Sequence, residues 1–325
     1  MNIINLLKVF ENEENVYLYG LSEIITQIFN DIQNKHGISI PILSKKLNLN
    51  IRSVYHWKCG NRPIPLDKLL ILLREIDFKS YLEKILINLK GISFGSGSRN
   101  KICYFPIIIT PKLSYFVGYL MGDGCLTKND WTVTIFGEFE FQINKIEKIL
   151  YELFFLNGKK INISREIMFP VYSKGLWIYL NKIFDFPSGK KKGKLIIPQI
   201  IKESSINIKK EFIRGFVDAD GGIAKVEKYK EIPIWLKQKP QICISQSTKG
   251  FLLELKNLML EVNLPVEGPY YNRANKGYQL TLTGMKKMRV CKRFNLFKDD
   301  IKKQRLIKIC DINASVAQSG RVFAW

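Results

Sequence analysis

Two aspartates, Asp123 and Asp220, each close an apolar run and each is followed at once by glycine: YFVGYLMGDG at 115–124 and FIRGFVDADGG at 212–222. In the first run Gly118 and Gly122 stand four apart, and in the second Gly215 and Ala219 do. Small residues at that spacing share one helix face and let two backbones approach closely. Each aspartate would fall in the last turn of its helix, before glycines able to take a left-handed cap. A helix C-terminus already carries partial negative charge, so a carboxylate there is disfavoured. Setting two such ends side by side compounds the repulsion and requires a cation between them. Hard oxygen ligands point to Mg²⁺, with Mn²⁺ as a substitute. One Asp-Gly pair alone would be an ordinary turn after a buried helix; the repetition of all three features makes a pair of sites.

The elements that must position these carboxylates also repeat. Each aspartate is followed by strand-like alternation (WTVTIFG; IPIWL and QICISQ) and a helix (FQINKIEKILYELFF; GFLLELKNLMLEV). Further strands come next, then a Lys-rich segment expected to be a loop (PSGKKKGK; FKDDIKKQR). The offset, 220 − 123 = 97 residues, is too long for a solenoid and suits two homologous α/β subdomains. Upstream, residues 1 to about 90 read as mostly helical. Within them PILSKKLNL and NIRSVYHWKCG form two short helices across a polar turn and LDKLLILLREI a third. That arrangement suits a helix-turn-helix over about 38–76, offering Arg52, Ser53, His56 and Lys58 to a DNA groove; an ordinary three-helix domain is the alternative. The Gly/Ser-rich FGSGSRNK at 94–101 reads as a linker. The expected domains are therefore 1–95, a first repeat over 104–198, a second over 199–310, and an irregular tail over 311–325.

Composition narrows the partners. Lys plus Arg is 51 and Asp plus Glu is 29, a formal net charge of 51 − 29 = +22 over 325 residues. Such self-repulsion is explained by a polyanionic partner, nucleic acid above all. The six cysteines show no CxxC pair, which argues against zinc and against a disulfide framework. Only two histidines are present, His36 and His56, so no histidine-metal cluster is available. No leader-like start and no membrane-length apolar run occurs, and a cytoplasmic location is the expectation.

FVGYLMGDG and IRGFVDADG resemble the paired signatures of the LAGLIDADG (DOD-type) homing endonucleases in their single-chain, two-repeat form. The first copy departs from the pattern where Met121 stands at the first acidic position. The resemblance spans roughly 104–309, and the N-terminal segment is similar to helix-turn-helix domains attached to some archaeal members. It implies an α+β fold of two αββαββα repeats about a pseudo-twofold axis, a monomer with an internal pseudo-dimer. It implies double-strand cleavage of a long DNA target with a divalent metal, Asp123 and Asp220 being the ligands. A basic residue at each site would stabilise the phosphate in flight. For the first site the Lys-rich segment offers Lys190, Lys191 and Lys192, of which Lys191 is favoured. For the second it offers Lys298 or Lys302, of which Lys298 is favoured, with Lys303 beside them as a DNA contact. Gln246 resembles the polar residue that organises water near the metal. The remaining lysines would contact phosphates, and alternate residues of QICISQS and WTVTIFG would face bases.

Two other readings use the same scaffold: a DNA-binding regulator that has lost catalysis, and an RNA maturase for which structured RNA is the partner. Retention of both aspartates favours the nuclease. A splicing element would need a nucleophilic first residue and a terminal Asn, and Met1 and the ending SGRVFAW do not supply them.

Overall fold

The computed structural model describes residues 3–59, 61–76, 78–95, 101–164, 166–223, 240–273 and 276–322, the side chains of 312–322 excepted. The strand expected at IPIWL and the middle of the expected linker lie outside the described residues. Contacts divide the chain into two compact units. One comprises 1–108, 150–157 and 173–182; the other comprises 109–149, 158–172 and 183–325.

The first unit is less helical than its sequence suggests. Helices α1 (Leu6–Phe10), α2 (Ser22–His36), α3 (Ile40–Lys46), α4 (Ile51–Lys58), α5 (Leu66–Arg74) and α6 (Phe78–Asn88) accompany a three-stranded antiparallel sheet. Its central strand β1 (Val16–Tyr19) pairs with β2 (Ile64–Pro65) and β3 (Gly91–Phe94). VYLY alternates buried and half-buried, the period of a strand, which the surrounding helical periodicity conceals. Asn50 N-caps α4, its Oδ1 accepting from the Arg52 N–H at 2.9 Å. Phe10 anchors the core, its ring 5.3 Å from Phe105, which in turn lies 5.2 Å from Tyr179.

From residue 111 the order is α7 (Pro111–Asp123), β4 (Gly124–Thr127), β5 (Thr132–Gly137), α8 (Glu140–Phe154), β6 (Ile161–Ile163), β7 (Glu166–Tyr172) and α9 (Lys174–Phe184). After the one-turn α10 (Gln199–Lys202) it recurs: α11 (Ile206–Asp220), β8 (Gly221–Ile223), β9 (Gln241–Gln246), α12 (Lys249–Glu261), β10 (Glu267–Asn272), β11 (Gly277–Thr283) and α13 (Met285–Phe294). Both series read αββαββα, and their antiparallel sheets share one topology, β4-β5-β7-β6 and β8-β9-β11-β10. The chain is thus an α+β protein built on a duplicated unit.

The last element corrects two expectations. FKDDIKKQR is not a loop, because α14 runs from Asp300 to Val322 and takes in most of it. Asp299 caps this helix, its Oδ1 accepting from the Lys302 N–H at 2.8 Å. With no proline between 300 and 322, nothing stops the helix in the stretch expected to be irregular.

Candidate active site

The site grows from the contact between α7 and α11. Thr110 caps α7 by accepting from the Leu113 N–H at 3.2 Å, and Pro111 opens the first turn. From there the helix is buried on all sides, as a helix between two layers must be. Gly118 faces the α11 backbone so closely that a Cβ would strike the Phe212 carbonyl oxygen and lie 3.0 Å from the Phe216 nitrogen. Gly215 meets Tyr115 in the same way, its Cβ striking the carbonyl oxygen and lying 2.8 Å from the Tyr119 nitrogen. These pairs are reciprocal, since 118 + 97 = 215 and 115 + 97 = 212, the mark of a twofold-related contact. At the far end Gly122 lies against Ala219, and a Cβ there would be 3.4 Å from the Asp220 carboxyl carbon. The four small residues expected at the helix interface are therefore where the helices touch, and they bring the two C-termini together.

The helix ends are not capped as expected. Gly124 (φ −107°, ψ 160°) and Gly221 (φ −88°, ψ 134°) are extended, not left-handed. Each helix passes directly into a strand. Glycine is required there by space: a Cβ would meet the Leu120 side chain at 2.8 Å in the first repeat and the Val217 side chain at 2.7 Å in the second.

Asp123 and Asp220 are both half-buried at this junction. Burial raises the proton affinity of Asp123, Lys191 and Lys302 oppose it, and Glu166 adds to it. Asp220 is pushed up to about 7, first by burial and then by the Asp123 charge. Lys191, Lys302 and a 3.0 Å hydrogen bond from Gln246 Nε2 to Asp220 Oδ2 act against that rise. Gln246, expected to organise water near a metal, is hydrogen-bonded to the Asp220 carboxylate itself.

Lys191 donates from Nζ to the carbonyl oxygens of Met121, at 3.1 Å, and Gly122, closing the end of α7. Burial lowers its proton affinity, and the charges of Asp220 and Asp123 restore part of it. The equivalent group at the end of α11 is Lys302, whose Nζ donates to the carbonyl oxygens of Asp218 and Ala219. Lys298, expected to be the second active-site lysine, is placed elsewhere. Its Nζ pairs with Glu211, which stands 220 − 211 = 9 residues before Asp220 on α11, and its own N–H donates to Asp218 Oδ1 at 3.0 Å. The two lysines stand at matching places in the repeats: Lys191 follows the end of α9 by 191 − 184 = 7 residues and Lys302 the end of α13 by 302 − 294 = 8. Lys190 and Lys192 are exposed beside Lys191, and Lys303 is half-exposed on α14.

Asp218, at the position Met121 holds in the first repeat, is a structural hub. Its Oδ2 accepts from the Tyr115 hydroxyl at 2.6 Å and lies 3.7 Å from Lys145 Nζ. Burial raises its proton affinity and Lys145 opposes this. A cavity of about 300 Å³ opens beside Asp123 and Asp218, lined also by Gly137, Glu138, Gln142, Glu166 and Lys302. Glu166 and Glu138 bear no motif, so sequence reasoning missed them.

The donor chemistry fits a hard divalent cation. Two carboxylates converge where burial and mutual repulsion favour either a proton or a metal between them. Among the described residues no group of three His, Cys, Asp or Glu side chains is arranged to hold a metal. A cation here would complete its shell with water or phosphate oxygens, as Mg²⁺ commonly does.

The strand faces divide. In β9 the expected alternation is present, with Ile242 and Ile244 buried and Gln241, Cys243 and Ser245 half-exposed. In β5 it is not, because Thr132 and Thr134 are buried along with Val133 and Ile135. In the N-terminal unit Arg52 is exposed and His56 half-exposed, but Lys58 Nζ donates to Gln33 Oε1 at 2.9 Å. Ser53 lines a cleft of about 990 Å³ that also contains Glu11, Glu13, Glu14 and Asp67. Arg62 and Lys68 line the same cleft, Lys68 pairs with Asp67 at 3.1 Å and Lys174 with Glu13 at 3.0 Å, so its wall carries both signs of charge. No helix among the described residues is long and apolar enough to cross a membrane.

Residues 207–293 match the LAGLIDADG-like domain family. Over 209 residues the chain is 28% identical to the probable translation initiation factor IF-2 of Methanocaldococcus jannaschii, covering 61% of this chain and 16% of that protein. It is 28% identical over 198 residues to a component of the A-type ATP synthase of Pyrococcus abyssi, covering 61% and 17%. With the tRNA-splicing ligase RtcB of Methanopyrus kandleri it shares 23% identity over 193 residues, covering 53% and 19%. The chain thus spans less than a fifth of the length of each of these relatives. Among solved structures it is similar to I-DmoI in complex with DNA and manganese, with a TM-score of 0.42, 15% identity, and 58% and 98% of the two chains covered. For the homing endonuclease I-WcaI bound to its DNA recognition sequence the TM-score is 0.43, with 14% identity and 61% and 87% covered. For the N-terminal LAGLIDADG domain of WhiA the TM-score is 0.38, with 12% identity and 55% and 79% covered.

Proposed function

We propose that this chain is a site-specific DNA endonuclease of the LAGLIDADG type that breaks both strands of a long target with the help of Mg²⁺ or Mn²⁺. One observation carries the reading: α7 and α11 meet in backbone contact and set Asp123 and Asp220 side by side, each helix end closed by one lysine. Two carboxylates at two negative helix ends make a poor structural element and a good cation seat. The cation, when bound, supplies Lewis-acid polarisation of a phosphate oxygen. Lys191 and Lys302 hold ammonium groups beside the carboxylates, where they neutralise charge developing on the phosphate, a contribution of about 10²–10³ in rate for one well-placed donor. Gln246 fixes the orientation of the Asp220 carboxylate through its 3.0 Å hydrogen bond.

The half-exposed face of β9 contributes base contacts through Gln241, Cys243 and Ser245, and Lys190, Lys192 and Lys303 contribute phosphate contacts. The helix-turn-helix reading keeps Arg52, Ser53 and His56 as a secondary DNA contact, while Lys58 is engaged by Gln33. A segment shared with an initiation factor, an ATP synthase component and an RNA ligase cannot perform all three activities. We take the shared segment to be an inserted endonuclease module and transfer none of those activities. The matched LAGLIDADG-like stretch supports the same assignment, with the DOD-type, two-repeat homing enzyme as its finer form.

Digestion of a randomised-sequence plasmid library in Mg²⁺ or Mn²⁺ tests this against the Asp123→Asn/Asp220→Asn double variant. Metal-dependent double-strand breaks at one recurring sequence, absent with the variant, are the expected result. Tight DNA binding with no cleavage in either metal would overturn it.

A further inference from the structure

Lys302 is held in place from the opposite repeat. Asp299 is almost wholly buried, 4% exposed, at the start of α14, and its two carboxylate oxygens accept from two different segments. Oδ1 accepts from the Lys302 N–H at 2.8 Å, and Oδ2 accepts from Gln142 Nε2 at 2.6 Å. Gln142 lies in the first turn of α8, in the first repeat, and is itself buried. Its Oε1 accepts from the Glu138 and Phe139 N–H groups at 3.0 and 3.1 Å, which fixes the turn that follows β5. A series of hydrogen bonds, buried at its Gln142–Asp299 step and part-buried elsewhere, therefore runs from the β5–α8 turn through Gln142 and Asp299 to the first turn of α14, and from there along the Lys302 side chain to the end of α11. Every polar atom of the Gln142 amide that this series uses is satisfied, the condition under which a buried network rigidifies rather than weakens a fold.

Lys191 is supported differently. It sits in the segment between α9 and α10, where Ser188 bridges to Leu126 of β4 and the Gly193 N–H donates to Thr248 Oγ1 at 2.9 Å. The two lysines reach equivalent helix ends by unrelated supports, so disturbing one need not disturb the other.

We propose that Gln142 is a positioning residue for Lys302: the first repeat sets the lysine that serves the second repeat's carboxylate. The inference rests on the endonuclease reading for its catalytic consequence, while its geometric content is independent of cleavage. Gln142→Met keeps length and volume but cannot bond Asp299 or the turn. Misplacing a reacting group by about 1 Å lowers rate roughly 10²-fold. The expected result is therefore a large fall in single-turnover cleavage of one strand, with accumulation of nicked plasmid, while affinity for the target is unchanged. In a Lys302→Met background the same substitution should have no further effect, because its whole influence passes through that lysine. Asp299→Asn, which retains an acceptor for one of the two bonds, should be affected less than Gln142→Met.

The measurement that separates this from the endonuclease reading is amine labelling of the full-length protein, read residue by residue by mass spectrometry. Lys302, anchored on the α11 carbonyls, should label more slowly than exposed Lys190 and Lys192, and Gln142→Met or Asp299→Asn should speed its labelling selectively. If labelling changes but the wild-type chain cleaves nothing, the positioning stands and the nuclease assignment falls. If Lys302 labels at the same rate in both variants as in the wild type, the positioning role is overturned whatever the cleavage result, and if both strands slow equally its restriction to one site is overturned.

Discussion

Replacing Gly215 by alanine is the sharpest perturbation of this fold. The added Cβ would strike the Tyr115 carbonyl oxygen and lie 2.8 Å from the Tyr119 nitrogen, both main-chain atoms of a buried helix. A carbon needs about 3.3 Å from such atoms, and relieving the closer contact, with the Tyr115 oxygen, requires α7 and α11 to part by roughly 1 Å or more. A gap of that size forfeits about half of the dispersion attraction along the contact. Overpacking against side chains that can yield destabilises by about 1–3 kcal/mol. Backbone cannot yield, so about 3 kcal/mol or more is expected here, roughly a 150-fold change in the folding equilibrium. At an unfolding entropy of about 2.1 cal/mol/K per residue, 325 residues give roughly 1.5 °C per kcal/mol, and the thermal midpoint should drop by about 4 °C or more. Calorimetry of Gly215→Ala beside Gly250→Ala is the assay. Gly250 lies in the first turn of α12 with nothing within 4 Å of where an added methyl would stand, so alanine there should be neutral or stabilising by up to about 1 kcal/mol. Equal midpoints for the two variants would refute the backbone contact and, with it, the juxtaposition of Asp123 and Asp220.

Lys302→Met should lower cleavage by about 10² or more and Lys298→Met by less than about tenfold, measured as single-turnover rates; the reverse order would restore Lys298 to the site. The Asp220 carboxyl has a pKa of about 7 when folded against 3.8 when unfolded, so between those values the folded state binds more protons and stability falls as pH rises through the window. Asp220→Asn should therefore melt above the wild type at about pH 8 with chelator present, the difference closing by about pH 4. A gap independent of pH would show that Asp220 ionises normally. Adding Mg²⁺ at about pH 8 should raise the wild-type midpoint and leave that of Asp220→Asn nearly unchanged; equal shifts would place the cation elsewhere. A chain beginning at residue 96 loses the Phe10 ring from Phe105 and the Val9 carbonyl that accepts from Lys182 Nζ at 2.8 Å. It should unfold at markedly lower temperature or be recovered insoluble, and a fully stable truncation would disprove that packing role.

The sequence by itself determined the duplicated unit, the two helices that carry it, and the two aspartates at their ends. These are local properties: apolar periodicity and the spacing of small residues survive in one dimension, and the 97-residue offset maps each helix position onto its partner. Tertiary structure was needed to show which lysine reaches the end of α11. Lys298 and Lys302 are equally good candidates in a string, but the Asp299 cap starts a helix that turns the second toward the α11 carbonyls and leaves the first on Glu211. Nor could spacing reveal that Ser53 shares a cleft with Glu11, Glu13 and Glu14, since even Glu14, the nearest of the three, is 53 − 14 = 39 residues away along the chain. The extended glycines at the helix ends were equally hidden, because the atoms that exclude a side chain there are defined by packing. Long flexible side chains and buried polar bonds between distant segments leave no periodic trace, and these are the features on which the site's chemistry depends.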